Sequence, residues 1–88
     1  MSFRITLSET AVRQLRKLPN DIRTRVVRAL RVLEEDPFHR RPKADIRMIE
    51  GTDPRKYRLR VGEYRAIYAV VREEVKIIEV FIRGRGYR

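Results

Sequence analysis

Apolar and polar positions alternate at the start of the chain, over residues 3–7. A period of two predicts a short strand with one buried face. Helical spacing follows twice. The first helix is predicted from the N-cap candidate Ser8 to Pro19, and the second begins after a cap at Asn20 or Asp21 and ends before Pro37. The apolar stripes are Ala11, Leu15 and Leu18 in the first helix and Ile22, Val26, Ala29, Leu30 and Leu33 in the second. The short break between them predicts an antiparallel helical hairpin.

The second half of the chain carries strand patterns separated by turn residues. Residues 38–45 are polar and contain proline, which indicates a loop, and the short strand candidate 46–49 precedes a turn over 50–54. Residues 57–61 alternate apolar and cationic side chains, which predicts a strand. Gly62-Glu63 forms a hairpin loop that connects it to a strand at 64–71. A turn at Glu73-Glu74 then leads to the most apolar predicted strand, 75–82. We predict one domain over residues 1–88 with the order β-α-α-β-β-β. This is an α+β fold in which a helical hairpin packs on one face of a mainly antiparallel sheet.

Composition narrows the classes of function. Twenty-two Lys and Arg against 12 Asp and Glu give a net charge of +10, and 18 of the cations are Arg. Such a charge attracts phosphate or acidic protein surfaces, and the arginine fork suits bidentate phosphate contact. Codon bias in a GC-rich genome is an alternative explanation for the general excess of arginine.

Several kinds of chemistry are disfavoured. The chain has no cysteine, which excludes disulfides, thiolate metal sites and cysteine nucleophiles. The single histidine, His39, has no acidic partner at catalytic spacing, so we expect no metal and no cofactor. The longest apolar run, residues 66–71, is far shorter than the ~20 residues that span a bilayer. We expect a cytoplasmic protein without membrane attachment.

The Gly62-Glu63 hairpin predicts a cluster of cations. A two-residue loop pairs Arg60 with Arg65, so that two guanidinium groups face each other, which is unfavourable for stability. Side chains alternate along a strand, so Arg58 and then Lys56 extend the same face. A structure selected only for stability would tend to avoid this arrangement. We therefore expect a site for a polyanion, and RNA is the polyanion that the arginines suit best.

The C-terminal residues 83–88 read Arg-Gly-Arg-Gly-Tyr-Arg. The last strand is joined to the preceding one as a hairpin, so its end should lie beside Arg65. Tyr87 offers a flat face on which an unpaired base can stack, and we expect Lys56, Arg83 and Arg88 to contact RNA. The alternative is that a basic C-terminal tail is frayed and has no role.

At this point the residues resemble a known family. The segment 57–68, reading Tyr-Arg-Leu-Arg-Val-Gly-Glu-Tyr-Arg-Ala-Ile-Tyr, is similar to the RelE toxins of toxin-antitoxin pairs, especially the archaeal branch. Leu18-Pro19, Leu33 before Pro37, Glu50-Gly51 and the closing residues 83–87 extend the resemblance over essentially the whole chain. It implies a ribosome-dependent mRNA endonuclease, or mRNA interferase, that acts on mRNA in the ribosomal A site and leaves a 2′,3′-cyclic phosphate and a 5′-hydroxyl. It also implies a RelB-like antitoxin that binds the toxin as a heteromer and inhibits it.

The resemblance implies a catalytic role for five residues. Arg58 and Arg60 match two basic residues that contact the phosphate backbone or activate the nucleophile. Arg65 matches the arginine that stabilises charge at the scissile phosphate, and Arg85 matches a C-terminal arginine that assists there and at the leaving group. Tyr87 matches a tyrosine that stacks on the substrate.

The resemblance leaves the general base and the function open to alternatives. Family members often carry lysine where this chain has Arg58 and Arg60, and arginine, with a pKa above ~12, is a poor proton acceptor. The general base is therefore unassigned. Two other functions fit the same fold or charge: a ParE-type toxin that binds DNA gyrase, and an RNA-binding domain without catalysis.

Overall fold

The structure is a computed structural model that describes residues 2–83. Its elements are β1 (Arg4–Leu7), α1 (Glu9–Arg16), α2 (Asn20–Val32), β2 (Asp45–Ile49), β3 (Lys56–Val61), β4 (Tyr64–Val71) and β5 (Glu74–Ile82). The predicted α+β class is confirmed. The predicted element order gave three strands after the helices, but all four segments with strand patterns are strands, and the short candidate at 46–49 is β2, which pairs with β3. The turn predicted at 73–74 lies at Arg72 and Glu73, and Glu74 already pairs with β4 as part of β5.

The five strands form one sheet in the order β1-β5-β4-β3-β2. Only β1 pairs in parallel, with β5, and the other neighbours are antiparallel. α1 packs against β5 and β1, and α2 packs against β3. Apolar side chains from both helices and from the facing side of the sheet form the core, with Ala11, Leu15, Val26, Leu30, Leu33, Leu59, Ala66, Tyr68, Val75, Ile77 and Val80 among its buried members. Among the described residues, no helix is long and apolar enough to cross a membrane.

The two helices begin by different means. Ser8 caps α1 as predicted, because its Oγ accepts a hydrogen bond of 3.0 Å from the Ala11 N–H. The cap predicted for α2 is wrong: Asn20 is already helical, and Pro19 occupies the N-cap position without a side-chain hydrogen bond. The Asn20 side chain instead accepts a hydrogen bond from the Arg23 guanidinium.

A β-bulge interrupts the regular alternation of β5. Tyr68 of β4 pairs with Ile77, but Ile67 pairs with Glu79, so Ile78 is an extra residue without a partner in β4. One inserted residue reverses the side to which all later side chains of a strand point. Val80 consequently enters the core.

Ser8 and α1 satisfy backbone groups of β5 that lie beyond the end of β1. β1 ends at Leu7, opposite Ile77, and offers no further ladder beyond that point. The Ser8 hydroxyl donates to the Ile78 carbonyl at 2.6 Å, and the Gln14 Oε1 accepts from the Val80 N–H at 2.5 Å. Buried backbone groups are costly when they lack partners, so these two contacts fix α1 over the bulge.

Tyr68 joins the loop after α2 to the centre of the sheet. Its side chain is fully buried, and its hydroxyl donates a hydrogen bond of 2.7 Å to the Pro37 carbonyl. Burial raises the pKa of the Tyr68 phenol well above its ordinary value, so the hydroxyl stays protonated and remains a donor. The ring stacks on Tyr57 with 5.5 Å between ring centroids.

Replacing Tyr68 with Phe should lower the free energy of unfolding by about 1–3 kcal/mol, because the Pro37 carbonyl loses its donor in a buried setting. Urea unfolding followed by circular dichroism measures this change. Tyr57→Phe is the matched control, since the Tyr57 hydroxyl makes no hydrogen bond with any described residue. Equal losses in the two variants would contradict the structural role of the Tyr68 hydroxyl.

Candidate nucleic-acid interface

The predicted cations share the face of the sheet that points away from the helices. In β3, Lys56, Arg58 and Arg60 alternate with Leu59, which is buried in the core. The hairpin register places Arg60 directly opposite Arg65, as predicted. We call the surface formed by these four cations together with Arg47 the cationic face. Lys56, Arg58 and Arg65 are half-buried, and Arg60 is exposed.

The hairpin turn holds the two facing guanidinium groups. Gly62 has φ +60° and Glu63 does not have a positive φ, the pattern of a type II′ turn. The Gly62 carbonyl accepts from Arg60 Nε at 3.4 Å and from Arg65 Nη1 at 3.1 Å. Arg65 Nη1 also donates to the Tyr64 carbonyl at 3.1 Å. Backbone oxygens thereby offset part of the repulsion between the two cations.

Arg65 is the one described cation whose pKa is clearly shifted. Its pKa is lowered, first by burial and then by the positive charges of Arg58, Arg60 and Arg83, while Glu63 acts in the opposite direction. An arginine nevertheless remains charged in a protein. The lowered pKa therefore means that Arg65 carries a positive charge in surroundings that do not stabilise it, and a bound anion would relieve this.

Within the part of the chain that the structure describes, no carboxylate lies within 4.0 Å of the guanidinium groups of Arg58, Arg60 or Arg65. The ion pairs found there belong to the loop after α2 and to its contact with β2, namely His39–Asp36, Arg40–Asp45 and Arg41–Asp36. The Nε of Arg58 is buried and has no hydrogen-bond partner among the described residues. An unsatisfied charged donor is expensive, so the position of Arg58 lowers the stability of the sheet.

Arg47 is a member of the cationic face that the sequence analysis missed. It is exposed on β2 and pairs directly with Arg58 of β3. Alternation around the buried Ile46 could have indicated that Arg47 points away from the core. The neighbour of Arg47 depends on the register across residues 50–55, which the sequence pattern does not fix. Asp45, opposite Arg60, is engaged by Arg40 at 3.3 Å.

Phe81 and Glu79 also lie on the face away from the helices, and the sequence analysis missed both. Phe81 pairs with Arg65, and Glu79 pairs with Ile67. Counting by twos from the buried Val75 and Ile77 would place residues 79 and 81 in the core. The bulge at Ile78 reverses that count, and sequence alternation alone gives no sign of it.

The remaining predicted site residues belong to the C-terminal tail. The Arg83 N–H donates to the Glu63 carbonyl at 2.7 Å, so the end of β5 lies beside the hairpin turn as predicted. Arg85, Tyr87 and Arg88 lie outside the described residues.

Other candidate groups occupy the helix side of the molecule. The arginines of α2 line two grooves of about 410 and 470 Å³, the second of which has Ala29, Val32 and Val61 in its floor. His39 does have an acidic partner, contrary to the sequence analysis: its Nδ1 lies 2.9 Å from Asp36 Oδ2 within the turn that follows α2. Residues 2–83 contain no cluster of three or more His, Asp or Glu side chains that could hold a metal ion.

The family model described as "ParE toxin of type II toxin-antitoxin system, parDE" matches residues 5–87. This chain therefore belongs to that family, part of the RelE/ParE superfamily, and is a RelE-like toxin of a type II system. The comparison with curated proteins finds no match.

Solved structures show the same fold. The toxin in the archaeal RelE-RelB complex from Pyrococcus horikoshii OT3 is 34% identical, with a TM-score of 0.81 over 98% of this chain and 100% of that chain. The RelBE2 complex from Mycobacterium tuberculosis gives 26% identity and a TM-score of 0.70 over 94% of this chain and 100% of that chain. The intact E. coli RelBE complex gives 26% and 0.65 over 96% and 100% of the respective chains.

Gly62→Ala should lower the free energy of unfolding by about 1 kcal/mol, because a side chain is strained at φ +60°. The added Cβ would lie 3.0 Å from Arg25 Nη2, but the end of a flexible side chain can move aside. Glu63→Ala is the control in the same turn and should change stability little. Urea unfolding of both variants checks the prediction, and a Gly62→Ala variant as stable as the wild type would contradict the strained turn.

Proposed function

We propose that this chain is a ribosome-dependent mRNA endonuclease that cleaves mRNA in the ribosomal A site and so inhibits translation. The observation that carries the proposal is the cationic face, where Arg60 faces Arg65 and no described carboxylate pairs with either. The 34% identity to the toxin of an archaeal RelE-RelB complex supports the RelE type of activity over other activities of the superfamily.

The proposed reaction uses a nucleophile that RNA supplies itself. The 2′-oxygen attacks the adjacent phosphorus, the bond from phosphorus to the 5′-oxygen breaks, and the products are a 2′,3′-cyclic phosphate and a 5′-hydroxyl. A base removes the 2′-hydroxyl proton, and the departing 5′-oxygen gains a proton. Negative charge grows on the phosphate in the transition state, and fixed cations stabilise that charge.

The described arginines suit charge stabilisation and orientation. Arg65 is proposed to bind a non-bridging phosphate oxygen, because it is half-buried and pressed by three other cations. Arg58 and Arg60 are proposed to hold the backbone on either side of the reacting phosphate, with Lys56 and Arg83 as further contacts. Arg85, at the leaving group, Tyr87, stacked on the substrate, and Arg88 complete the proposed site. None of the arginines is a good proton acceptor, so the general base is a different group.

A RelB-like antitoxin is proposed as the partner that binds this toxin and keeps it inactive. The support is that the toxin structures from P. horikoshii, M. tuberculosis and E. coli described above are complexes with RelB-type antitoxins. The net charge of +10 suits an acidic partner segment. The proposed site of action is the cytoplasm, where ribosomes translate mRNA.

Arg65→Ala and Arg85→Ala should each lower cleavage roughly 100-fold or more, the usual effect of removing a group that stabilises transition-state charge. Arg28→Ala is the charge-matched control on α2 and should have a much smaller effect, because it lies on the helix side. Primer extension on a translated message measures cleavage. Equal losses in all three variants would point to diffuse charge, and the absence of cleavage by the wild type on ribosomes would overturn the proposal.

Arg47→Ala should reduce cleavage more than Arg28→Ala and less than Arg65→Ala. Arg47 lies opposite Arg58, where it can contact the RNA backbone, but it is not opposite Arg65. The same primer-extension assay, run over a series of salt concentrations, measures this order. Arg72→Ala, in the turn before β5, controls for loss of one exposed cation. An Arg47→Ala variant that behaves like Arg72→Ala would remove Arg47 from the site.

The second candidate function is that of a toxin that acts on DNA gyrase by binding. The description of the matching family as the parDE toxin favours it. The unpaired arginines of the cationic face count against it, because binding to a protein does not require like charges held together. A gyrase supercoiling assay separates the two functions: inhibition of supercoiling without cleavage of translated mRNA would establish the second.

A further inference from the structure

The ring of Phe81 stands on the cationic face next to Arg65. We propose that Phe81 is a stacking platform for an unpaired nucleobase of the RNA whose phosphate Arg65 binds. This inference rests on the proposed function and adds to it a second kind of subsite, one that recognises a base instead of a phosphate.

Phe81 contributes little to the main core of the protein. The bulge at Ile78 turns its side chain away from the helices, and it is not among the apolar residues that pack on the core. It is only half-buried, although it belongs to the most apolar strand. A half-exposed aromatic ring opposite Arg65 is therefore not explained by the packing of the main core.

The Phe81 ring and the arginines are spaced like the base and the phosphate of one nucleotide. Arg60, Arg65 and Phe81 form one row across β3, β4 and β5. Directly opposed residues on adjacent strands have Cβ atoms about 5 Å apart, so the ring and two guanidinium groups are within reach of one nucleotide. Arg65 can hold the phosphate while the attached base extends over the next strand to Phe81.

The surroundings of Phe81 suit a flat and largely apolar ligand. Ile67 lies diagonally from Phe81 on the same face but is 2% exposed, so the apolar surface that a ligand would meet here is that of the Phe81 ring. Aromatic side chains on open sheets stack unpaired bases in other RNA-binding domains, where each stacked base contributes about 1–3 kcal/mol. Stacking tolerates every base but is stronger for larger ring systems. We therefore expect a preference for a purine at this position.

The alternative is that Arg65 itself covers the face of the Phe81 ring, because a guanidinium can form a cation–π contact with an aromatic ring. In that case Phe81 would position Arg65 and would not touch the base. The two roles make different predictions for RNA that lacks a base, and for the number of phosphate contacts that the protein makes.

The test uses a short 2′-O-methyl RNA, which cannot be cleaved, and a matched strand with one abasic position, moved along the strand. Fluorescence anisotropy measures the affinity of the wild type, Phe81→Leu, Phe81→Tyr and Arg65→Ala. Phe81→Leu should weaken binding of the intact strand roughly 5- to 100-fold, whereas Phe81→Tyr should bind like the wild type. At one position, the abasic strand should abolish the difference between the wild type and Phe81→Leu.

Salt dependence separates stacking from charge. Phe81→Leu should keep the wild-type slope of affinity against salt, because no cation is lost, while Arg65→Ala should reduce the slope by about one. Urea unfolding of Phe81→Leu and Phe81→Tyr verifies that both remain folded.

Four outcomes would overturn the proposed nucleobase subsite. The nucleobase subsite is overturned if Phe81→Leu binds as tightly as the wild type, if its loss persists on every abasic strand, or if its salt slope falls as in Arg65→Ala. It is also overturned if the wild type does not bind the strand. Cleavage of translated mRNA by the wild type, measured in parallel, tests the proposed function independently of these outcomes.

Discussion

The bulge at Ile78 is the constraint on which most of this structure depends. β5 lies between a parallel neighbour and an antiparallel one, and the inserted residue changes which of its side chains reach the core. On its other edge at the same place, Ser8 and Gln14 satisfy backbone groups of β5 that lie beyond the end of β1, so the first helix docks beside the bulge. Without the bulge, Val80 would leave the core and Phe81 would enter it. The bulge thus determines which side chains of β5 enter the core and which the opposite face presents.

The cationic face works against the stability of the sheet, and the hairpin shows how the fold tolerates it. Two cations that oppose each other across strands repel. Arg60 and Arg65 occupy such positions, and both donate hydrogen bonds to the Gly62 carbonyl. Gly62 makes that geometry possible, because its positive φ aligns the turn without strain. Local repulsion of this kind is typical of functional sites, where binding of an anion compensates for it.

The arrangement separates two tasks between the two sides of the sheet. The helix side carries the core and the grooves that arginines and apolar residues of α2 line. The open side carries the cations that form no salt bridge with a described carboxylate. Under the proposed function, the open side of the sheet binds RNA while the helix side holds the fold together.

The sequence by itself determined the α+β class, the cap at Ser8 and the hairpin that pairs Arg60 with Arg65. These features depend on residues close together in the chain, so local periodicity and turn chemistry specify them. Arg47 and Phe81 could not be assigned in this way. The neighbour of Arg47 depends on a register set across six intervening residues, and the direction of Phe81 depends on a bulge that is stabilised by α1. Tertiary structure decided both, because strand register and bulges are fixed by contacts between segments far apart in sequence.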